Sequence, residues 1–157
     1  MIKYIVICAL FVIVFFMCRG YADFVDSSIE RARAYLGFVN HIERKVGGYL
    51  TPPSKLGEGF ESAHLSDMIK NISEGMSFID SYRLCRGTLP WAIDNILDSF
   101  FLDFGKGSAD LELRRARDTA RQLEEALNLE KINGEKQKKI CSAVMPALAI
   151  GIVIWII

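Results

Sequence analysis

The chain has 157 residues, 19 basic and 19 acidic side chains, and 51% apolar content. That length excludes a large multidomain enzyme, and the balanced charge excludes a strongly basic nucleic-acid binder. Regular apolar residues and aromatics through the middle exclude a disordered chain.

The apolar content is concentrated at the two ends. Residues 4–18 and 140–157 hold no charged side chain, whereas the 121 residues of 19–139 carry 18 basic and 19 acidic ones. Met1 to Met17 is a lysine at position 3 followed by an unbroken apolar run. Two readings compete for it. A cleaved secretory signal has a basic start, an apolar stretch and a small-x-small site, which Gly20-Tyr21-Ala22 supplies. A retained transmembrane helix wants about 17–25 apolar residues, and Lys3 can snorkel to the interface. A lipoprotein signal fits poorly, because Phe15-Phe16-Met17 rather than small residues precede Cys18.

The carboxyl end tips this balance. Ile140 to Ile157 is an 18-residue apolar segment in which Pro146 and Gly151 are tolerated in a membrane and Trp155 suits an interface. Lys136, Lys138 and Lys139 precede it, not the small residues and neutral spacer of a lipid-anchor signal. With Lys131 they flank the second segment on the side of the middle region, and Arg19, Arg31 and Arg33 follow the first. The positive-inside rule therefore predicts a two-pass protein of the cell membrane with residues 19–139 in the cytoplasm. The expected domains are a transmembrane helix over 2–18, a cytoplasmic all-helical domain over 19–139 and a transmembrane helix over 140–157.

Within 19–139 the apolar period is helical. Val25, Ile29, Ala32, Leu36, Val39, Ile42 and Val46 form one stripe, and Ala109, Leu113, Ala116, Ala120, Leu123 and Leu127 another. Both alternate near 4 and 3, which favours near-parallel packing of long helices. On the polar face of the second stripe, Asp110–Arg114, Arg114–Asp118 and Arg121–Glu125 are spaced as i,i+4 ion pairs. Gly47-Gly48 and Thr51-Pro52-Pro53 close the first long helix, and Ser108 is placed to cap the last. Shorter helices are predicted at about 54–71, 75–86 and 89–104, punctuated by Gly57, Gly59, Gly75, Gly87 and Gly105. The expected architecture is all-α: two membrane segments flank an antiparallel helical stalk, about 36 Å long for Asp23–Val46 at 1.5 Å per residue, capped by the short helices.

Catalytic signals are sparse. His41 and His64 lack ligand-spaced partners and read as solvated or edge residues. Gly105-Lys106-Gly107-Ser108 lacks the leading glycine and preceding strand of a phosphate loop. Cys8, Cys18 and Cys141 lie in or beside the apolar ends and only Cys85 in the middle, so no disulfide is indicated. No cofactor, metal or catalytic residue is expected. Two surfaces are candidates for binding a partner. Trp91, Phe100, Phe101 and Phe104 are a dense aromatic group, with core filling as the plainer use. Arg114, Arg115, Arg117 and Arg121 are a basic run, with a solvated ion-paired face as the plainer use.

The order of these features resembles the stage III sporulation protein AB family. The resemblance is carried by Ala34–Lys45, by Leu50-Thr51-Pro52-Pro53 followed by Phe60, by Glu74-Gly75-Met76-Ser77, and above all by Phe100 to Asp110. Phe104-Gly105 stands at the family's Leu-Gly, Asp110 supplies its acid, and Arg114 replaces its glutamine. The resemblance implies a non-catalytic platform of a sporulation export, or feeding-channel, complex between mother cell and forespore. It implies as partners a cytoplasmic secretion-type ATPase and other stage III sporulation membrane proteins, with the domain on the mother-cell side. The different-class reading is a signal-cleaved, tail-anchored helical adaptor or receptor facing outside the cytoplasm.

Overall fold

The computed structural model describes residues 2–48, 52 and 55–156, with the side chains of 2–8, 10, 11, 48, 145, 148, 149 and 152–156 outside the description. Five helices follow one another: α1 (Ile2–Gly48), α2 (Ser66–Ser73), α3 (Phe78–Cys85), α4 (Trp91–Asp103) and α5 (Ala109–Ile156). The all-α class is as expected, and no strand occurs among the described residues. The chain divides into two compact units, residues 28–130 and residues 1–27 with 131–157.

The helix boundaries repay comparison with the sequence. The apolar run and the charged stripe at each end are not separate helices: α1 is continuous for 47 residues and α5 for 48. Gly20 and Pro146 interrupt neither. The helix expected at about 54–71 is half as long as the pattern suggested. Residues 55–59 form tight turns, held by Lys55 N–H to the Pro52 carbonyl (2.9 Å) and Glu58 N–H to the Lys55 carbonyl (3.1 Å). Gly57 closes against Ile69, where an added Cβ would lie 2.8 Å from a methyl carbon. Buried Leu56 tacks this turn to the core, which stabilises an irregular segment better than a short exposed helix would be. Ser77 caps α3, its hydroxyl accepting from Asp80 N–H at 3.2 Å. Gly87 (φ +60°) turns the chain between α3 and α4, a left-handed conformation that disfavours any side chain.

In the unit of residues 28–130, α1 and α5 run antiparallel. Glu43 Oε1 meets Arg117 Nε at 3.0 Å, and four residues further along α1 the position of Gly47 lies beside Leu113, four residues back along α5. The second apolar stripe is largely as read: Ala116, Ala120, Leu123 and Leu127 are buried, while Ala109 is exposed. The first stripe is wider than its heptad. Tyr35 and Phe38 are buried beside Ala32, Val39 and Ile42, a face of about 120° at 100° per residue.

That width corrects the stalk-and-cap expectation. A face so broad is too large for one partner helix, so the short helices pack alongside α1 in a single core instead of sitting at its far end. Tyr35 meets Tyr82 of α3 edge-on at 5.4 Å between centroids, and Phe38 lies 6.4 Å from Phe101 of α4. Leu65, Met68, Ile72, Ile93 and Leu97 complete that core from α2, its leading residue and α4.

In the unit of residues 1–27 and 131–157, α1 and α5 are again antiparallel. The Cys18 and Cys141 sulfurs are 3.2 Å apart, Tyr21 hydrogen-bonds Gln137, and Asp26 pairs with Lys138 at 2.5 Å. Among the described residues no helix is long and apolar enough to cross a membrane. About half the positions of the transmembrane segments expected at 2–18 and 140–157 have side chains outside the description.

Candidate partner-binding surface

The expected aromatic group is divided by the fold. Phe101 is 1% exposed and Phe100 6%. Phe101 stacks on Phe78 at 6.1 Å and lies 5.1 Å from Tyr82, while Phe104 meets Phe78 edge-on at 5.0 Å. Their spacing along α4 turns Ile93, Leu97, Phe100 and Phe101 to the interior, so Phe100 and Phe101 fill the core, while Phe104 is half-buried at its edge. Trp91, the first residue of α4, is left outside that set at 79% exposure.

A polar clamp fixes the helix that presents Trp91. The buried Tyr82 hydroxyl donates to Asp94 Oδ1 at 2.5 Å, and Arg86 Nη1 donates to Asp94 Oδ2 at 2.8 Å. Arg83 and Asp98 form a two-pronged pair with both bonds at 2.9 Å. The Arg83 hydrogen bonds hold the Asp98 carboxyl below its ordinary range, while burial and Asp94 push the Tyr82 phenol far up. α3 and α4 are thus locked as a hairpin, and Trp91 stands on a rigid support. A large exposed indole on such a support is what an interface anchor requires. The clamp was not legible in the sequence, because its members lie 8 to 15 positions apart on two helices.

The basic run of α5 is also divided. Arg115 is engaged: its Nη1 donates to the Asp103 carbonyl (3.1 Å) and to Glu112 (3.4 Å). Glu112 is 5% exposed and accepts Gly107 N–H at 2.8 Å, so the start of α5 is held by this carboxylate, where the helix dipole favours it. With Phe100, Asp103, Asp118 and Gln122, Arg115 lines a shallow groove of about 240 Å³ between α4 and α5. Arg117 pairs with Glu43 across the helices, and Arg121 with Glu125 at 3.7 Å, the i,i+4 pair expected. Among the described residues Arg114 has neither Asp110 nor Asp118 within ion-pair distance and is exposed. The surface therefore offers two separate features, an exposed Trp91 and the outward arginines 114, 117 and 121.

Among the described residues no three His, Cys, Asp or Glu side chains are placed to hold a metal ion. His64 is exposed as expected. His41 is half-buried against Phe60, ring centroids 5.5 Å apart, with its Nε2 buried and unpartnered. Burial lowers its pKa below the usual 6.5, outweighing the backbone carbonyls of Glu58 and Leu56. Because the folded value is the lower one, the unfolded chain takes up the proton first. Stability is therefore expected to fall as pH drops below about 6.5. His41→Gln should flatten that part of the pH–stability curve measured by chemical denaturation, and an unchanged slope would contradict it. Burial also raises the Cys85 thiol, which accepts from Asn71 Nδ2 at 3.5 Å and is a poor nucleophile there.

Comparison with protein-family models, with curated proteins and with solved structures finds no match to this chain.

Proposed function

We propose that this chain is a non-catalytic, membrane-tethered helical platform, whose charged domain of residues 19–139 docks a cytoplasmic partner while both apolar ends remain in the bilayer. One observation carries the reading. Val12, Ile13, Phe15, Phe16 and Met17 are each more than half exposed, as are Ile140 and Ile150 on α5. Water does not tolerate such a run on a helix pair, whereas hydrocarbon does. Arg19, Lys138 and Lys139 border these runs at the level where a bilayer surface places cations.

The domain is built for docking. It has a rigid hairpin carrying an exposed tryptophan and a row of outward arginines, and no described constellation suits catalysis. The resemblance to stage III sporulation protein AB supplies the candidate setting: a sporulation export complex with a secretion-type ATPase on the mother-cell side.

Topology tests this reading. Single cysteines at Ser66 and Ser108, both exposed, are introduced into a chain lacking its native cysteines and probed with a membrane-impermeant thiol reagent. Protection in intact cells with labelling after lysis supports the platform. Labelling of intact cells overturns it in favour of an extracytoplasmic adaptor.

The arginine row makes a second prediction. Arg114→Glu alters no described ion pair, so affinity for an acidic partner should fall by about 1 kcal/mol, roughly fivefold, with melting temperature unchanged. Arg117→Glu also breaks the Glu43 pair and should lower both. Full binding by both variants, read by co-purification with the ATPase, would remove the row from the interface.

A further inference from the structure

Cys18 and Cys141 are 123 positions apart in the chain, yet their sulfurs are 3.2 Å apart and the Cys18 thiol also points at the Cys141 carbonyl, 3.6 Å away. Both are free thiols and both are half-buried. They sit on facing sides of the antiparallel pair α1 and α5, next to the Tyr21–Gln137 hydrogen bond that fixes the register of this unit. Nothing in the sequence brings them together, since each reads as an isolated cysteine at an apolar border.

An opening leads to them. A cavity of about 670 Å³ in this unit is bordered by Cys18 and Cys141 and by Arg19, Asp23, Lys138 and Lys139. Arg19, Lys138 and Lys139, set against Asp23 and the Lys138 partner Asp26, leave the rim net positive, which favours the approach of a small anion. The thiols thus have proximity, a fixed register and an approach for a charged reagent, and exchange proceeds through the fraction of either sulfur present as thiolate.

We propose that Cys18 and Cys141 are a reversible redox pair that closes into an intramolecular disulfide and fastens α1 to α5 under oxidising conditions, a step that rests on the retained first segment of the platform reading. The oxidant is an anionic low-molecular-weight disulfide. The thiolate of one cysteine attacks it, forming a mixed disulfide and expelling one thiolate of the reagent. The second cysteine's thiolate then attacks the protein sulfur of that mixed disulfide, forms the Cys18–Cys141 bond and expels the second reagent thiolate. The two protons lost by the cysteines end on the two reagent thiols, and the reagent takes up two electrons. In a reducing cytoplasm the pair rests as dithiol, and a shift of the thiol pool closes it.

The test uses the full chain purified in detergent, fully reduced, freed of reductant and incubated with oxidised glutathione. Intact mass should show the loss of two hydrogen atoms on a monomer, reversed by dithiothreitol, with a linked peptide pair containing Cys18 and Cys141. Cys18→Ser and Cys141→Ser should abolish the loss, and Cys85→Ser should leave it unchanged. Full-length chain with both cysteines still alkylatable, a persistent glutathione adduct, or a bond joining two chains would overturn the proposal. A mature chain beginning after Ala22 would overturn the retained anchor and the redox pair together, and its mass distinguishes that failure from the others.

Discussion

Phe101→Ala is expected to destabilise the domain of residues 28–130 by about 3–5 kcal/mol, a melting drop of roughly 15–30 °C. Phe101 is 1% exposed and lies within ring contact of Phe38, Phe78, Tyr82 and Phe100. Those partners come from α1, α3 and α4, so removing the ring opens a cavity at a point where three helices meet. Collapse around it would require moving a long helix and a clamped hairpin at once. The cost should therefore approach the upper part of the range for aromatic truncation. Trp91→Ala is the matched control. At 79% exposure it should change stability by less than about 0.5 kcal/mol while reducing partner association. Thermal circular dichroism of the full chain in detergent reads the first effect, and co-purification reads the second. A Phe101→Ala protein melting within about 5 °C of the parent would mean that the aromatic core is not the domain's main source of stability.

Asp94→Ala is expected to cost about 2–3 kcal/mol, because one carboxylate serves two donors. Tyr82 is fully buried and its hydroxyl has Asp94 as its acceptor, through Oδ1 at 2.5 Å and the backbone carbonyl at 3.3 Å. Without the carboxylate, the buried hydroxyl keeps only the longer bond, and Arg86 loses its counter-ion. Tyr82→Phe removes the donor together with its need, so it should cost about 1 kcal/mol. The double variant should then fall short of the sum of the singles, a coupling that urea denaturation of all four proteins measures. Strict additivity would show that the clamp does not act as a unit. Arg83 and Asp98 lie closer to solvent, and their pair should contribute less.

Much of the fold was legible because helical burial leaves a periodic trace. The stripe Leu113, Ala116, Ala120, Leu123, Leu127 has one partner surface, so its seven-residue repeat survives into the structure almost intact. Glycines at 75, 87 and 105 marked real turns for the same local reason: each has positive φ, which ordinary side chains resist. The misreadings share a cause as well. Tyr35 and Phe38 fall outside the heptad positions of α1, and only their packing against α3 and α4 shows that they belong to the core. The turn at 55–59 stands where a helix was expected: Gly57 closes against Ile69, 12 positions away, while Leu56 is buried in the core. The candidate surface was half legible: the sequence grouped four aromatics, and the direction of each ring around α4 separated Trp91 from the other three.

The sequence by itself determined the all-α class, the charge-free ends, the near-neutral middle and the places where helices stop, since each depends on composition or on neighbours within a few residues. Tertiary structure decided which aromatic remains outside, which arginines are occupied, how Asp94 serves both Tyr82 and Arg86, and that Cys18 meets Cys141. These depend on pairs 8 to 123 positions apart. Such pairings are set by the rotation and register of packed helices, quantities that no local pattern of residues encodes.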